Sequence, residues 1–463
     1  MTFPIHHRAL LAAGILLTLA VDATAQGRGR RGQRGERPPA PPAEAKPEDS
    51  KPAKPKVYVA ITGGDVHLGT GQRLTGATVL LADDKIEAVG HNLTVPEGAT
   101  VIDAKGKVVS PGFVCVLGNG MGAGRSAPYA DAVNPYDPEI KQGLAAGITA
   151  FLAGSVGSSA QLTGSNAVIK LAWGDAKGMV LKEDAVVGLA AELSLGDRDK
   201  LTEAVQKARE YLQALEQFPK QKAADPNAKE PTAPPGSEKL LAVLRGDAML
   251  WINPAGGGGG FAMFGGGGRR GAPRADDIDA IRQALATAKL FGRGVVLQKP
   301  TSGWVIPDEI AATGSMVFLS PRDRRPADPA NPDRTGSNLA QAAILAQAGV
   351  PVAVTCPVGM FGGAGVGIGG ILGQDLNTPQ VDAAYAVRGG LDGRKALRTL
   401  TLDAARLLGV DRRIGSLEAG KDADVLILDG DPLHYATFVT MALVNGKVVY
   451  ERAKEPLYSH IPR

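Results

Sequence analysis

The chain has 463 residues, of which 44% are hydrophobic and 21% are charged. This composition excludes a wholly disordered chain, and the length is ample for a large buried core. Only two cysteines are present, Cys115 and Cys356, which excludes a scaffold held together by many disulfides. Glycine and proline number 61 and 32, so we expect some segments to be loops or unfolded.

The first 25 residues have the pattern of a secretory signal peptide. Arg8 precedes an apolar stretch, and Ala23-Thr24-Ala25 supplies small residues for cleavage. The apolar stretch, residues 9–21, is too short to cross a hydrocarbon core of about 30 Å. We therefore expect an exported protein, periplasmic or extracellular, that is cleaved near Ala25 and has no membrane span.

Residues 26–56 form a basic linker rich in proline. They hold nine basic and four acidic side chains and no large apolar residue, so they cannot bury enough surface to fold. Because residues 1–25 are neutral and the whole chain carries +4, residues 57–463 have a net charge of −1. The cluster RGRRGQRGER is basic enough to contact anionic polymers or nucleic acid. Since it has no element that reads a sequence, we expect a solvated spacer and no specific nucleic-acid partner.

The two ends of the remaining chain have the pattern of antiparallel strands. Short alternating apolar runs separated by turn residues occupy residues 57–110 and recur in residues 405–463. Asn445-Gly446 lies between two of these runs and is a strong hairpin signal. These patterns predict a small composite β-sandwich domain formed by both ends of the chain.

The central part, residues 111–404, alternates strand-like and helical stretches. Strand-like runs include GITAFLAG, NAVIKLAW and VPVAVTC, and helical stretches include DRDKLTEAVQKAREYLQALEQF, ADDIDAIRQALATAKLFG and NLAQAAILAQAG. Repeated alternation of this kind predicts an α/β fold with a parallel sheet, and the length predicts a (β/α)8 TIM-like barrel.

Two glycine-rich stretches, residues 256–271 and 359–373, each follow a predicted strand. They are expected at the carboxyl ends of barrel strands, where active-site loops lie. In the second stretch, Gly365, Gly367 and Gly370 have the spacing of a dinucleotide-binding loop. The helix and the acidic residue that this fingerprint requires do not follow convincingly, so we interpret both stretches as flexible loops, with phosphate binding as the alternative.

Three longer segments carry specific motifs: LTGATVLLADDKIEAVGHNLTVPEGATVIDAKGKVVSPGFV, ALRTLTLDAARLLGVDRRIGSLEAGKDADVLILDGDPL and VNGKVVYER. They closely resemble the amidohydrolase superfamily, in particular imidazolonepropionase-like members. The resemblance covers most of residues 57–463 and implies a barrel with a β-sandwich built from both termini. It also implies hydrolysis of carbon–nitrogen bonds other than peptide bonds by metal-activated water, with zinc or another divalent ion held by imidazole and carboxylate ligands.

This chain departs from the superfamily at the implied metal ligands. No histidine occurs anywhere in residues 92–433. The resemblance places Cys115, Leu117 and Asn119 where the superfamily has an aspartate and two histidines on the first strand. The other degenerate metal-site positions that it implies are Glu192, Asn253, Lys299 and Cys356. We therefore predict a protein without the usual metal site, with no cofactor and with no confident catalytic residue.

The two cysteines admit four interpretations, one of which is a catalytic thiol, although no histidine is available to activate either sulfur. The resemblance places Cys115 and Cys356 on the first and eighth strands, which are neighbours in a closed barrel at about 4.8 Å, within reach of a disulfide. We predict that disulfide, and two unpaired buried cysteines are the alternative. A third possibility is a zinc site made of both thiolates and Glu192, which the positive charge of Lys299 would oppose.

Glu192 and Lys299 are the weak candidates for catalytic groups. A carboxylate and an ammonium in the same barrel mouth would neutralise each other as an internal ion pair. The alternative is that one or both side chains extend to solvent.

Two functions follow from these observations. We favour an exported pseudohydrolase, kept for binding a small molecule at the barrel mouth, for assembly as a homo-oligomer, or for structure. The alternative is an active hydrolase of cyclic amides or peptide-derived carbon–nitrogen bonds, with an atypical site that includes Glu192 and Lys299. The fold supports both because fold does not determine function, and the missing ligands favour the first.

Overall fold

The computed structural model describes residues 55–124, 127–254, 278–355 and 379–455. The signal segment, most of the linker, both glycine-rich stretches and Cys356 therefore lie outside the described residues. Residues Pro55–Arg463 form one compact unit. Within the described ranges, no helix combines the length and apolar character needed to cross a membrane.

The described strands are β1 (Tyr58–His67), β2 (Arg73–Ala82), β3 (Lys85–Gly90), β4 (Thr100–Asp103), β5 (Val108–Pro111), β6 (Phe113–Cys115), β7 (Ile148–Ser155), β8 (Ser165–Lys170), β9 (Val180–Glu183), β10 (Val186–Ala190), β11 (Met249–Asn253), β12 (Val296–Gln298), β13 (Met316–Leu319), β14 (Val352–Val354), β15 (Val425–Leu428), β16 (Val439–Val444) and β17 (Lys447–Glu451). The described helices are α1 (Tyr129–Ala132), α2 (Pro138–Ala145), α3 (Ala176–Met179), α4 (Leu195–Ala224), α5 (Glu238–Arg245), α6 (Ile278–Phe291), α7 (Pro307–Ala312), α8 (Gln341–Gln347), α9 (Pro379–Arg388), α10 (Gly393–Leu400) and α11 (Leu402–Leu407).

Strands from both ends of the chain form one eight-stranded sheet. Its order is β17-β16-β15-β5-β1-β2-β3, and β4 pairs with β1. The hairpin predicted at Asn445-Gly446 is confirmed, because these residues join β16 to β17 with φ angles of 52° and 73°. Positive φ at both central residues is what a type I′ turn requires. The division of this region into a separate β-sandwich domain stays a prediction.

The central part is an α/β arrangement of the TIM-barrel type. Strands β10 to β14 form a five-stranded sheet in which every pair of neighbours is parallel. Strands β6 to β9 form a second sheet of four strands. The three predicted helical stretches are confirmed as α4, α6 and α8.

The expectation of eight parallel strands in one closed barrel is not met, because the described strands of this part form two sheets. The NAVIKLAW run does not continue the parallel alternation, since β8 lies antiparallel to β7. Only residues 156–164 connect these two strands. A parallel crossover needs about a dozen residues or more, so the short connection requires the chain to turn back as a hairpin.

Side chains on the inner face of the barrel strands form an apolar core. Val114, Leu152, Trp251 and Phe318 belong to this core, and α11 closes it at the amino ends of the strands. Trp251 packs against Phe318 with ring centroids 4.9 Å apart, and its Nε1 donates to the carbonyl of Leu407 at 3.0 Å. This core fills the space between the strands and α11, so a functional site is expected at the carboxyl ends of the strands.

A buried charge joins the barrel to the sheet from the chain ends. Lys170, on β8, is only 1% exposed. Its Nζ lies 2.8 Å from Asp424 Oδ1 and 3.0 Å from Asp422 Oδ2, and it also donates to the side-chain oxygen of Asn445. The two aspartates precede β15 and the asparagine lies in the β16–β17 turn, so one ammonium contacts three points of the C-terminal segment.

Asp422 lies at the centre of this charge cluster. Besides Lys170, it accepts hydrogen bonds from Lys85 at 2.5 Å and from Arg413 at 2.9 and 2.7 Å. Burial by itself would raise the pKa of Asp422, but the hydrogen bonds and positive charges of these three residues hold the pKa well below its ordinary value. Burial raises the pKa of Asp424, against the opposing effect of Lys170.

We expect Lys170→Met to lower the free energy of unfolding by about 3–5 kcal/mol, because it leaves the buried carboxylate of Asp424 without its cation. Urea denaturation measures this change. Lys207→Met is the matched control, since Lys207 is 60% exposed in an i,i+4 pair with Glu203. The control should change the free energy by less than about 0.5 kcal/mol. Equal effects of the two substitutions would contradict the structural role of Lys170.

Candidate functional site

The parallel strands β10 to β14 bring their carboxyl ends to one edge. Ala190 is paired with Asn253, and Leu319 with Val354, so the strand ends are level along the sheet. In folds of this type, ligand-binding groups lie on the loops that leave this edge. The residues after β12 and β13 are therefore the first place to look for a site.

The three predicted positions on and after β6 lie in different surroundings. Cys115 is 5% exposed and belongs to the core cluster that includes Phe113 and Phe151. Leu117 is half-buried and packs against the apolar interior of the barrel. Asn119 is exposed. The Cys115–Cys356 disulfide stays a prediction, because Cys356 lies outside the described residues.

The remaining predicted positions follow other strands. Asn253 is half-buried at the end of β11, and Glu192 is exposed after β10. Lys299 follows β12, is half-buried and has a φ of 47°, a left-handed conformation that is uncommon for a residue with a side chain. Its backbone N donates to the carbonyl of Phe318 at 2.8 Å, which ties this conformation to the neighbouring strand β13. The predicted ion pair of Glu192 and Lys299 stays a prediction.

These residues do not fit the divalent metal that the resemblance implies. Leu117 has no donor atom, and the ammonium of Lys299 would repel a cation. The described histidines, His67, His91 and His434, lie in β1 or in loops of the terminal sheet. Within the described ranges, no group of three or more histidine, cysteine, aspartate or glutamate side chains is arranged to hold a metal ion.

A polar cleft occupies the strand ends beside Lys299. Its lining includes Lys299, Ser320, Asp323, Arg325 and Gln341. Gln341 Nε2 donates to the carbonyl of Pro300 at 2.6 Å, which links the start of α8 to the loop after β12. The cleft therefore lies between the loops after β12 and β13. Its lining presents both positively and negatively charged groups to a ligand.

A buried ion pair supports the floor of this cleft. Asp382, on α9, is fully buried and accepts from Arg322 Nε at 3.1 Å and from Arg322 Nη2 at 2.9 Å. Ser320 Oγ also donates to it, at 3.3 Å. Such bidentate pairs fix both partners in orientation. Sequence reasoning missed these residues because nothing in the sequence around Arg322 or Asp382 indicates a contact across 60 positions.

We expect Asp382→Asn to lower the free energy of unfolding by about 1–3 kcal/mol, because the fully buried carboxylate of Asp382 is the ionised partner of Arg322, whose side chain is 30% exposed. Glu309→Gln is the matched control: Glu309 accepts a similar bidentate pair from Arg282, at 3.0 and 2.8 Å, but is 45% exposed. The control should change the free energy by less than about 1 kcal/mol. Urea denaturation measures the free energy of unfolding of both variants. Equal losses of stability would show that burial of the carboxylate does not set the contribution of these ion pairs.

Comparison with known proteins identifies relatives of this chain. Residues 299–449 match the sequence model of the amidohydrolase family. A 5-methylthioadenosine/S-adenosylhomocysteine deaminase from Symbiobacterium thermophilum is 33% identical over 105 residues, covering 19% of this chain. The chain matches only 22% of that relative's length.

Among solved structures, an amidohydrolase from Thermotoga maritima MSB8 has a similar fold. It superposes with a TM-score of 0.59 at 23% sequence identity, over 85% of this chain and 100% of that one. At this identity the likeness concerns the fold. The matched residues, 299–449, begin at Lys299 and end within β17. The motif resemblance to the amidohydrolase superfamily is therefore confirmed over this part of the chain, and the solved structure shows a similar fold.

Proposed function

We propose that this protein is an exported pseudohydrolase that binds a small molecule at the carboxyl ends of its barrel strands. The observation that carries the proposal is the chemistry of two positions. Leu117 packs on the apolar interior where the superfamily resemblance implies a metal-binding histidine, and Lys299 occupies a second such position. An aliphatic side chain and an ammonium group cannot replace two imidazoles.

The other implied positions do not compensate for this loss. Asn253 is an amide at the end of β11, and Glu192 is exposed after β10. A hydrolytic zinc site needs at least three protein ligands around one point, together with a base for the bound water. The described residues supply no such set. Binding without hydrolysis is therefore the function that these residues support best.

The polar cleft supports a binding role. Lys299 and Arg325 carry positive charge, Asp323 carries negative charge, and Gln341 adds an amide beside them. These groups can orient a ligand, and the cleft itself, with a volume of about 40 Å³, would hold one small polar group of it. The buried Arg322–Asp382 pair lies behind Ser320 and holds this lining in place.

Elemental analysis tests the proposal directly. We expect protein that has been incubated with zinc and then dialysed to retain well under one equivalent of zinc per chain, because no imidazole ligands are available. Assays with cyclic amides and with peptide-derived carbon–nitrogen bonds should show no turnover.

Two glutamate variants define the result that would contradict the pseudohydrolase proposal. Retention of one zinc per chain that is lost in Glu192→Gln, but kept in Glu216→Gln, would overturn the proposal and support an active hydrolase. Glu216 is an exposed residue of α4, so it provides the same change of charge away from the mouth.

Export and the disulfide are tested together by intact mass. We expect protein produced with its own leader in an oxidising compartment to begin near Gln26, because Ala23-Thr24-Ala25 has the pattern of a cleavage site. After denaturation, Cys115 and Cys356 should be alkylated only when a reductant has been added. An uncleaved leader would contradict export, and alkylation without reductant would contradict the disulfide.

A further inference from the structure

A second cleft lies at the amino ends of the barrel strands, on the side opposite the mouth. Its volume is about 270 Å³, and its lining includes the segment before β14 together with residues of α10 and α11. Residues Val350 and Pro351 lead directly into β14, which places the cleft at the start of that strand. We propose that this cleft binds a small oxyanion, either inorganic phosphate or a phosphate monoester.

The charges around the cleft are unbalanced. Lys395, Arg398 and Arg406 line it, and the carboxylate that lines it with them is Asp403. A single oxygen of Asp403, Oδ1, accepts from Arg398 Nη2 at 2.8 Å and from Arg406 Nη1 at 3.0 Å. On the far side of Arg406, Asp411 lies 3.9 Å from Nε. Three cations and two carboxylates leave a single positive charge, which an anion would neutralise.

One donor beside the cleft has no acceptor. Arg398 Nε is buried and makes no hydrogen bond to any part of the chain that the structure describes. A buried N–H without an acceptor is costly, so a small rotation of the Arg398 side chain that brings Nε to a ligand oxygen in the cleft is favourable. The planar guanidinium has a geometry that matches the oxygens of phosphate.

Apolar walls strengthen this attraction. Val350 and Leu391 are 3% and 4% exposed and form part of the lining with Pro351 and Ala346. Apolar surroundings lower the local dielectric response, which makes each charge–charge contact stronger than in bulk water. Asp403 lies in the same surroundings, and burial raises its pKa despite both arginines. The cleft is thus a partly desolvated pocket with net positive charge.

This site does not depend on the function proposed above. None of the residues that line it belongs to the cleft at the mouth, whose lining residues all lie between positions 299 and 342. Loss of anion binding would leave the pseudohydrolase proposal unchanged, and discovery of a metal at the mouth would leave the anion site unchanged.

Line broadening of the phosphate signal in ³¹P NMR tests the proposal, with potassium chloride added to keep the ionic strength constant. We expect the full chain to broaden the signal of inorganic phosphate in a saturable manner. Lys395→Gln should weaken the affinity several-fold, and Arg398→Gln by about tenfold, through loss of charge-assisted hydrogen bonds. Lys207→Gln, an exposed lysine on α4, is the matched control and should bind like the parent protein.

Asp403→Asn should change the affinity for phosphate in the opposite direction. Removing the internal anion should strengthen phosphate binding, whereas any loss of structure would weaken it. Lys395 is exposed, so its substitution keeps the test informative if an arginine variant unfolds. Comparing inorganic phosphate with glycerol phosphate distinguishes a free anion from a monoester as the better ligand. Non-saturable broadening, or equal losses in Lys395→Gln and Lys207→Gln, would overturn the proposal.

Discussion

The structure depends on one ammonium group that is almost fully withdrawn from water. Lys170 projects from a barrel strand and is 1% exposed between Asp422 and Asp424. A buried charge is tolerated only when opposite charges and hydrogen bonds surround it, and removing either side leaves the other uncompensated. The barrel strands and the C-terminal segment are therefore coupled at this point. Lys85 and Arg413 extend the coupling to β3 and to the segment after α11.

This coupling gives the two ends of the chain a role in the barrel's stability. Strand β15 begins just after Asp424 and pairs with β5, which leads directly into β6 of the barrel. The sheet built from both termini is thus connected to the barrel in two ways. Strand β5 continues along the chain into β6, and buried ion pairs join Lys170 to the segment before β15. Such an arrangement favours cooperative folding of residues 55–455, because neither part satisfies its buried charges alone.

The carboxyl and amino ends of the barrel strands carry different functional side chains. At the carboxyl ends of the strands, a polar cleft lies beside Lys299, and Leu117 packs on the apolar core. At the amino ends, Arg398 and Arg406 share one carboxylate in a cleft of their own. The fold describes the frame, whereas the side chains at each end decide what is bound there.

The sequence by itself determined an α/β fold, the Asn445-Gly446 hairpin and the absence of histidine from residues 92–433, because periodicity, turn chemistry and composition are local properties. It failed at β8, where a nine-residue connection outweighed the expected parallel alternation. It also failed to indicate that Lys170 meets Asp422, or that Arg322 meets Asp382, since these partners are 252 and 60 positions apart. Only the tertiary structure decided those contacts, because burial and charge pairing depend on which distant segments are packed together.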